Sequence, residues 1–417
     1  MIDRRLASDY NAAMKRQPST SRGRMSRNSE RLVALALRLN ASGSRLEDGF
    51  WERELDALLT KLLRAGNDNA VEAALDHLLT SDAAAYDVLV DQCESMAESQ
   101  VAIVADAQYD MMLLAAPILA WTRYAIPSGP VPAADTDVLQ VHLSAHVLAA
   151  DARIMLAPYL FSLEQIPRSF AETFALTKKL GTAALSGGAP SLDIMDPRET
   201  APMLADSRFL LAGVAVPSGG PVFRWQEHAD TSAEHTGRKQ CLEDWIAQGR
   251  PNLSPLLPSC GFELLLPDAF YVSVHDSDRR VRPYTIRASA AYLEGALKVE
   301  APQLRAVVAG VGEESNEEYR IGFALKGNNA VVHGVVWPLY GREDTPADAE
   351  SGPDETPVDE ISALLKEVGI TDIHTLPDNH FPEFCEDCGA PFFPDANGDF
   401  VHATFPEGGD SAPAHFH

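Results

Sequence analysis

Cys385 and Cys388 stand two residues apart in FCEDCGAPFFPDANGDFVHATFPEGGDSAPAHFH, the stretch that also carries His402, His415 and His417. A tight turn can aim two thiolates at this spacing toward one ion, and Gly389, directly after the second sulfur, gives such a turn its backbone freedom. Asp395-Ala-Asn-Gly398 is a turn signal that would return a strand carrying His402. His415 and His417, one residue apart, would point to the same side of an extended segment. The expectation is a Cys₂His₂ zinc site made of Cys385, Cys388, His402 and His415, with His417 able to replace His415. Such a closed site is structural, with apparent binding energies of roughly 10–16 kcal/mol at neutral pH in small zinc modules. Two other readings stay open: a redox C-x-x-C pair, or surface cysteines beside an unstructured, histidine-bearing tail. The redox reading lacks the helix pattern after the pair that would lower the first thiol's pKa.

Elsewhere the chemistry is sparser. His142 and His146 in VLQVHLSAHVL lie one helical turn apart, but the glutamate of H-E-x-x-H is missing, so they read as ordinary helix histidines. Arg279, Arg280 and Arg282 precede an expected helix whose first residue is Pro283, and a helix N-terminus beside arginines can hold an anion. Arg168 occupies the matching place in an earlier, similar segment and joins this anion-binding set. In an acidic chain, arginines also pair with carboxylates on their own surface. The glycine pairs at 187–188 and 219–220 match neither phosphate-cradling motif, and no hydrolase elbow, kinase signature or deaminase pattern occurs. Cys241 and Cys260 read as core thiols. No catalytic constellation is visible.

The elements that must position these residues follow from periodicity. Residues 1–27 hold seven Lys or Arg against two acidic residues and read as a flexible basic tail, with Met25 a second candidate start. Residues 28–100 form a helical subdomain: leucines recur at helical spacing, with breaks at Ser42-Gly43, Gly66-Asn67 and Ser81-Asp82 separating about four antiparallel helices. Residues 101–235 are a first α+β unit, with strand-like runs at Met111–Trp121, Ile154–Phe161 and Phe209–Val216 and helices at 136–148 and 170–185. Residues 236–340 are a second unit: helix 239–249, strand 262–272, helix 284–298, then strands 304–311, 318–324 and 331–338. Laying 158–185 over 270–297 without a gap matches Tyr159, Arg168 and Thr173 to Tyr271, Arg280 and Thr285, which suggests a duplicated ferredoxin-like α/β sandwich with a mainly antiparallel sheet. Residues 341–357 are an acidic, disordered linker, and 358–417 are a helix plus a zinc-ribbon-like tail. The fold class is therefore α+β.

Sixty acidic against 34 basic residues give a formal charge of −26, which repels nucleic-acid phosphates and anionic lipid at long range. No apolar run reaches the ~18 residues that a membrane span needs, and the N-terminus lacks the apolar segment of a secretory signal. Five cysteines, an odd number spread over a long chain, make no disulfide framework, so a reducing cytoplasm is expected.

The stretches AWTRYAIPSGP (120–130), FRWQ (223–226), LLPDAFY (265–271), VVWPLYGRE (335–343) and CEDCGAPFFPD (385–395) together resemble an uncharacterised bacterial family catalogued as a domain of unknown function. The resemblance runs from about Met25 over nearly the whole chain. It implies a bacterial cytosolic protein and carries over no activity and no catalytic residues. The residues favour a noncatalytic regulatory or scaffold protein that meets protein partners. The alternative is an enzyme with an anionic-substrate site between the two α+β units, using Arg168 and Arg280.

Overall fold

The computed structural model describes residues 25–188, 190–192, 194, 204–227, 236–312, 316–340 and 356–406. Most of the expected basic tail (1–24) and acidic linker (341–355), together with His415 and His417, lies outside the described residues.

The helical subdomain consists of α1 (Arg27–Asn40), α2 (Arg45–Arg64), α3 (Asp68–Ser81) and α4 (Ala83–Glu98). Its breaks fall where small polar residues cap the next helix. Ser26, Ser44 and Asp82 accept the N–H groups of Ser29, Glu47 and Ala85 at 3.1, 3.3 and 2.9 Å. Leu32, Leu55, Leu59 and Leu78 meet in one core, which Phe170 and Phe174 enter from the next domain.

The first sheet is built on β2 (Ala107–Trp121) and β6 (Ala205–Pro217), antiparallel from Tyr109↔Pro217 to Trp121↔Ala205. The hairpin strand β1 (Ser99–Val104) flanks β2. On β6 lie β4 (Arg153–Leu156) and β5 (Tyr159–Ser162), and β3 (Gly129–Pro130) pairs with β5. The single strand expected over 154–161 is thus two, broken at Pro158, which has no N–H to give a ladder. Helices α5 (Ala133–His146), α6 (Phe170–Ser186) and α7 (Arg238–Leu253) cover the sheet. Burial on both faces explains why β2 and β6 read as continuous apolar runs.

The largest correction concerns residues 262–298. In place of a long strand and a helix beginning at Pro283, there are two short strands, β7 (Gly261–Leu264) and β8 (Asp268–Ala269), and one helix, α8 (Phe270–Leu297). Both strands pair with β2, so the first sheet draws strands from both sides of residue 235. Pro283 lies inside α8. A proline there leaves the carbonyl four residues back without its helical donor; Arg282 Nε donates to that Arg279 carbonyl at 3.2 Å. The gapless superposition of 158–185 on 270–297 fails as well, because Tyr159 is on strand β5 and Tyr271 on helix α8.

At about 1.5 Å per residue α8 spans roughly 40 Å and touches both sheets. Its Phe270 and Val274 pack with Leu113 and Phe209 of the first sheet. Its Ile286, Ala290 and Leu293 pack with Ile321 and Phe323 of the second. That second sheet has the order β11–β10–β9–β12, from β9 (Leu304–Val311), β10 (Glu318–Leu325), β11 (His333–Pro338) and β12 (Asp372–His380). β9 to β11 run antiparallel, whereas β12, absent from the sequence expectation, lies parallel to β9 after helix α9 (Pro357–Glu367). The architecture is α+β with mainly antiparallel sheet. Among the described residues no helix is long and apolar enough to cross a membrane.

The start of α8 is fixed from another domain: the Glu98 carboxylate at the end of α4 accepts the Tyr271 N–H at 2.8 Å. Burial, opposed by that N–H and reinforced by Glu94 and Asp268, pushes the Glu98 carboxyl up from its ordinary 4.5 to about 7. The folded chain therefore holds a proton that the unfolded chain has lost between these two values, and stability falls as pH rises through that window. Glu98→Gln keeps a carbonyl acceptor for Tyr271 and carries no charge. It is expected to exceed the wild type in stability above pH 7 and to lose that advantage toward pH 4.5, as read by chemical unfolding across the range.

Candidate metal centre

The cysteine segment folds as a knuckle whose two arms pair. Phe384 bridges Pro391, the Phe392 N–H donates to the Glu383 carbonyl at 3.0 Å, and the Cys385 N–H donates to the Ala390 carbonyl at 2.7 Å. The corner closes through the Gly389 N–H to the Cys385 carbonyl at 2.8 Å, with Gly389 at φ +75°. Only glycine adopts that conformation at no steric cost, and this is its role in the motif. The N–H groups of Cys388 and Asp387 hydrogen-bond to the Cys385 sulfur and hold its thiol below the ordinary thiol range. A thiolate is the form that ligates a metal.

The third donor arrives on a short hairpin, β13 (Phe393–Pro394) and β14 (Phe400–Val401). Asp395 builds its turn: one carboxylate oxygen accepts the N–H groups of Asn397 and Asp399 at 2.7 and 3.0 Å, and Gly398 takes φ +90°. The returning strand delivers His402, whose Nε2 lies 3.2 Å from Cys388 Sγ. The donor atoms of Cys385, Cys388 and His402 all lie within 4.8 Å of one another, the one such group of three or more metal-ligating residues among the described residues. Zinc bonds of about 2.3 Å to sulfur and about 2.0 Å to nitrogen, at tetrahedral angles, separate such atoms by roughly 3.5–3.8 Å. Two sulfurs and an imidazole at this spread can hold a metal ion.

Sequence reasoning missed what fixes this segment to the rest of the molecule. Arg320 of β10 is fully buried. Its Nη1 donates to the carbonyls of Glu383 and Phe392, one on each arm of the knuckle, at 2.6 and 2.9 Å. Its Nε donates to Glu318 at 2.7 Å, and the Phe384 ring lies 4.9 Å from its guanidinium carbon. Beside it, Gly322 and Gly334 are direct cross-strand partners. A Cβ on Gly322 would meet the Pro394 carbonyl oxygen at 2.1 Å, and one on Gly334 would meet the Phe393 ring at 2.3 Å. The glycine pair is a socket for the hairpin, and Phe393 is fully buried in it. Two glycines and an arginine within otherwise apolar strands were the available signal, since a strand glycine often marks close approach of another backbone.

The other candidates are dispersed. Arg279, Arg280 and Arg282 sit in mid-helix, so the helix N-terminus expected at Pro283 is absent. Arg280 pairs with Asp276 at 2.8 Å. Arg282 is buried, donates to the Pro338 carbonyl at 2.9 Å and stacks on Trp337 and Tyr340. Arg168 turns its guanidinium onto the Glu164 carbonyl at 3.1 and 3.2 Å. His142 and His146 stack on α5 with ring centroids 5.8 Å apart, and burial together with His146 holds the His142 imidazole below its ordinary value.

The chain belongs to the family described as Protein of unknown function (DUF2863), whose model matches residues 17–416. Neither the curated proteins nor the solved structures hold a match to it.

Gly322→Ala is expected to lift the hairpin off the sheet, because backbone stands in the way of the added methyl. Overpacking of this kind costs about 1–3 kcal/mol. Limited proteolysis should then cut within 383–406 faster than in the wild type, while the helical subdomain stays resistant.

Proposed function

We propose that this protein is a noncatalytic regulatory or scaffold protein of the cytoplasm, stabilised by a structural zinc ion and acting through contacts with protein partners. The observation that carries the reading is the convergence of Cys385, Cys388 and His402 on a turn tied to the second sheet by a buried arginine. His415 supplies the fourth ligand, with His417 as its substitute, which closes the tetrahedron and makes the ion structural. The ion supplies a crosslink between the knuckle and the hairpin. The chain's own residues set the donors in place: Gly389 and Asp395 shape the two turns, and Arg320 and the glycine socket hold both against the sheet. A segment with this little apolar core of its own gains most from such a crosslink. Five cysteines, an odd number spread over the chain, fit a reducing compartment.

The junction of residues 101–235 with residues 236–340 supports the noncatalytic part. The alternative enzyme needs a cleft there, yet Leu119, Leu265 and Val281 pack together at that place, and Trp121 stacks on Tyr284 with centroids 4.4 Å apart. The arginines that would meet an anionic substrate are engaged by carbonyls, a carboxylate and aromatic rings of the protein itself. The net charge of −26 favours neither nucleic acid nor anionic membrane as partner.

Protein purified without chelator is expected to contain about one zinc per chain by elemental analysis, as a four-ligand site requires. Cys385→Ser and His402→Ala should each lose it, and His415→Ala should lower zinc affinity more than His417→Ala. Wild-type protein without zinc would reject the metal reading.

A further inference from the structure

The fold treats the five thiols of the chain unequally. Cys93 and Cys241 are buried and Cys260 is half-buried. Burial pushes all three thiols up, which makes them slow to react. Cys388 is exposed, and Cys385 beside it is half-buried. The sulfurs of this pair lie within 4.8 Å of each other. A disulfide needs Cα atoms about 4.4–6.8 Å apart, and residues three apart in a tight turn have theirs under about 7 Å apart.

The bonds that shape the turn leave the sulfurs available to each other. They run from the Gly389 N–H to the Cys385 carbonyl, from the Cys385 N–H to the Ala390 carbonyl, and from Arg320 to both arms of the knuckle. None of these bonds passes through a sulfur atom, so the knuckle keeps its shape whatever the sulfurs hold. His402 comes from a separate hairpin with its own seat in the glycine socket. A bond between the two sulfurs therefore disturbs neither part, but it removes the ligands by which an ion would tie one part to the other.

We propose that Cys385 and Cys388 form a reversible modification site, at which hydrogen peroxide closes a disulfide and so dismantles the metal centre. The loss of the ion rests on the zinc reading; the disulfide does not. The exposed Cys388 sulfur attacks one peroxide oxygen, the O–O bond breaks, and the thiol proton leaves with the displaced oxygen as water. Cys388 is then a sulfenic acid. The Cys385 sulfur attacks the Cys388 sulfur, the S–S bond forms as the S–O bond breaks, and the Cys385 proton leaves with the hydroxide as a second water. Together the two sulfurs give up two electrons to the peroxide. Where an ion holds the sulfurs, solvent supplies both protons. A disulfide offers no thiolate to a metal, so the ion departs. Charge selects the oxidant. Glu386 and Asp387, both exposed, stand between the cysteines in a chain of net charge −26, and they repel anionic oxidants such as glutathione disulfide. Hydrogen peroxide is neutral and meets no such barrier.

The test treats purified, zinc-loaded full-length protein with hydrogen peroxide, then unfolds it in chelator and alkylates it with iodoacetamide. Cys385 and Cys388 are expected to lose their alkylation while Cys93, Cys241 and Cys260 keep theirs, and the peptide holding the pair should be lighter by two hydrogens. Zinc should appear in solution in step with the disulfide, and dithiothreitol should restore both thiols. Glutathione disulfide at the same concentration should act at least about tenfold more slowly. In Cys385→Ser the second sulfur is gone, so the sulfenic acid should persist on Cys388 and take up dimedone there. Zinc-loaded protein whose pair stays fully alkylatable in peroxide, or passes only to sulfinic acid, overturns the proposal and leaves the zinc reading standing. Protein that purifies without zinc and still closes the disulfide supports the modification site and rejects the zinc reading. Glutathione disulfide acting as fast as peroxide overturns the choice of oxidant.

Discussion

One buried guanidinium joins the C-terminal segment to the body of the protein. Arg320 has no exposed surface, and its charge is met by Glu318, by the carbonyls of Glu383 and Phe392 and by the face of Phe384. Burying a charge is costly unless hydrogen bonds replace the lost water. The knuckle supplies those bonds only when its two arms are paired, because the two carbonyls sit on opposite arms. The shape of the turn that presents Cys385 and Cys388 and the hydrogen bonding of Arg320 Nη1 are therefore one condition. The glycine socket adds a second constraint of a different kind: Gly322 and Gly334 leave a hollow that Phe393 fills, so the hairpin carrying His402 has one seat.

The same sheet is bound on its other face by the second half of α8, and the first half of α8 lies on the other sheet. The helix works as a spine, and Pro283 falls near the place where it passes from one sheet to the other. There the side chains are large and interlocked: Trp121 on Tyr284, and Arg282 across Trp337 and Tyr340. Through these contacts and its two apolar faces α8 joins one sheet to the other. The helical subdomain is tied in at the far end of the spine, where Glu98 caps Tyr271 and Tyr271 Oη donates to Thr173 at 3.0 Å. Each subdomain thus meets its neighbours through α8 or through the sheets it rests on.

Local signals were sufficient where local physics decides the structure. The four N-terminal helices follow from leucine periodicity and from polar caps that stand in the sequence at the breaks, and β9, β10 and β11 follow from short apolar runs between turn residues. The errors cluster at Leu264–Leu297. LLLPDAFYV has the composition of a strand, but its N-terminal helical donor is satisfied by Glu98, more than 170 residues earlier in the chain. Pro283 reads as a helix start, and only the Arg282 side chain, folding back onto the Arg279 carbonyl, lets the helix run through it. β12 escaped notice for a related reason: DIHTLPDNH is polar and carries a proline, and it becomes a strand because the edge of β9 is there to receive it.

For the candidate metal site the division is sharp. The sequence by itself determined which atoms can ligate, since C-x-x-C-G sets two sulfurs on one turn and Asp395 to Gly398 sets the reversal that brings back His402; both are short-range consequences of backbone geometry. It also determined the acidity of the chain and the α+β class. Only the tertiary structure decided where that site stands, because its anchors are a cross-strand pair of glycines and an arginine more than 60 residues away, brought beside it by sheet register. Register is a long-range property, settled by the packing of whole faces against one another, and no spacing within the motif records it.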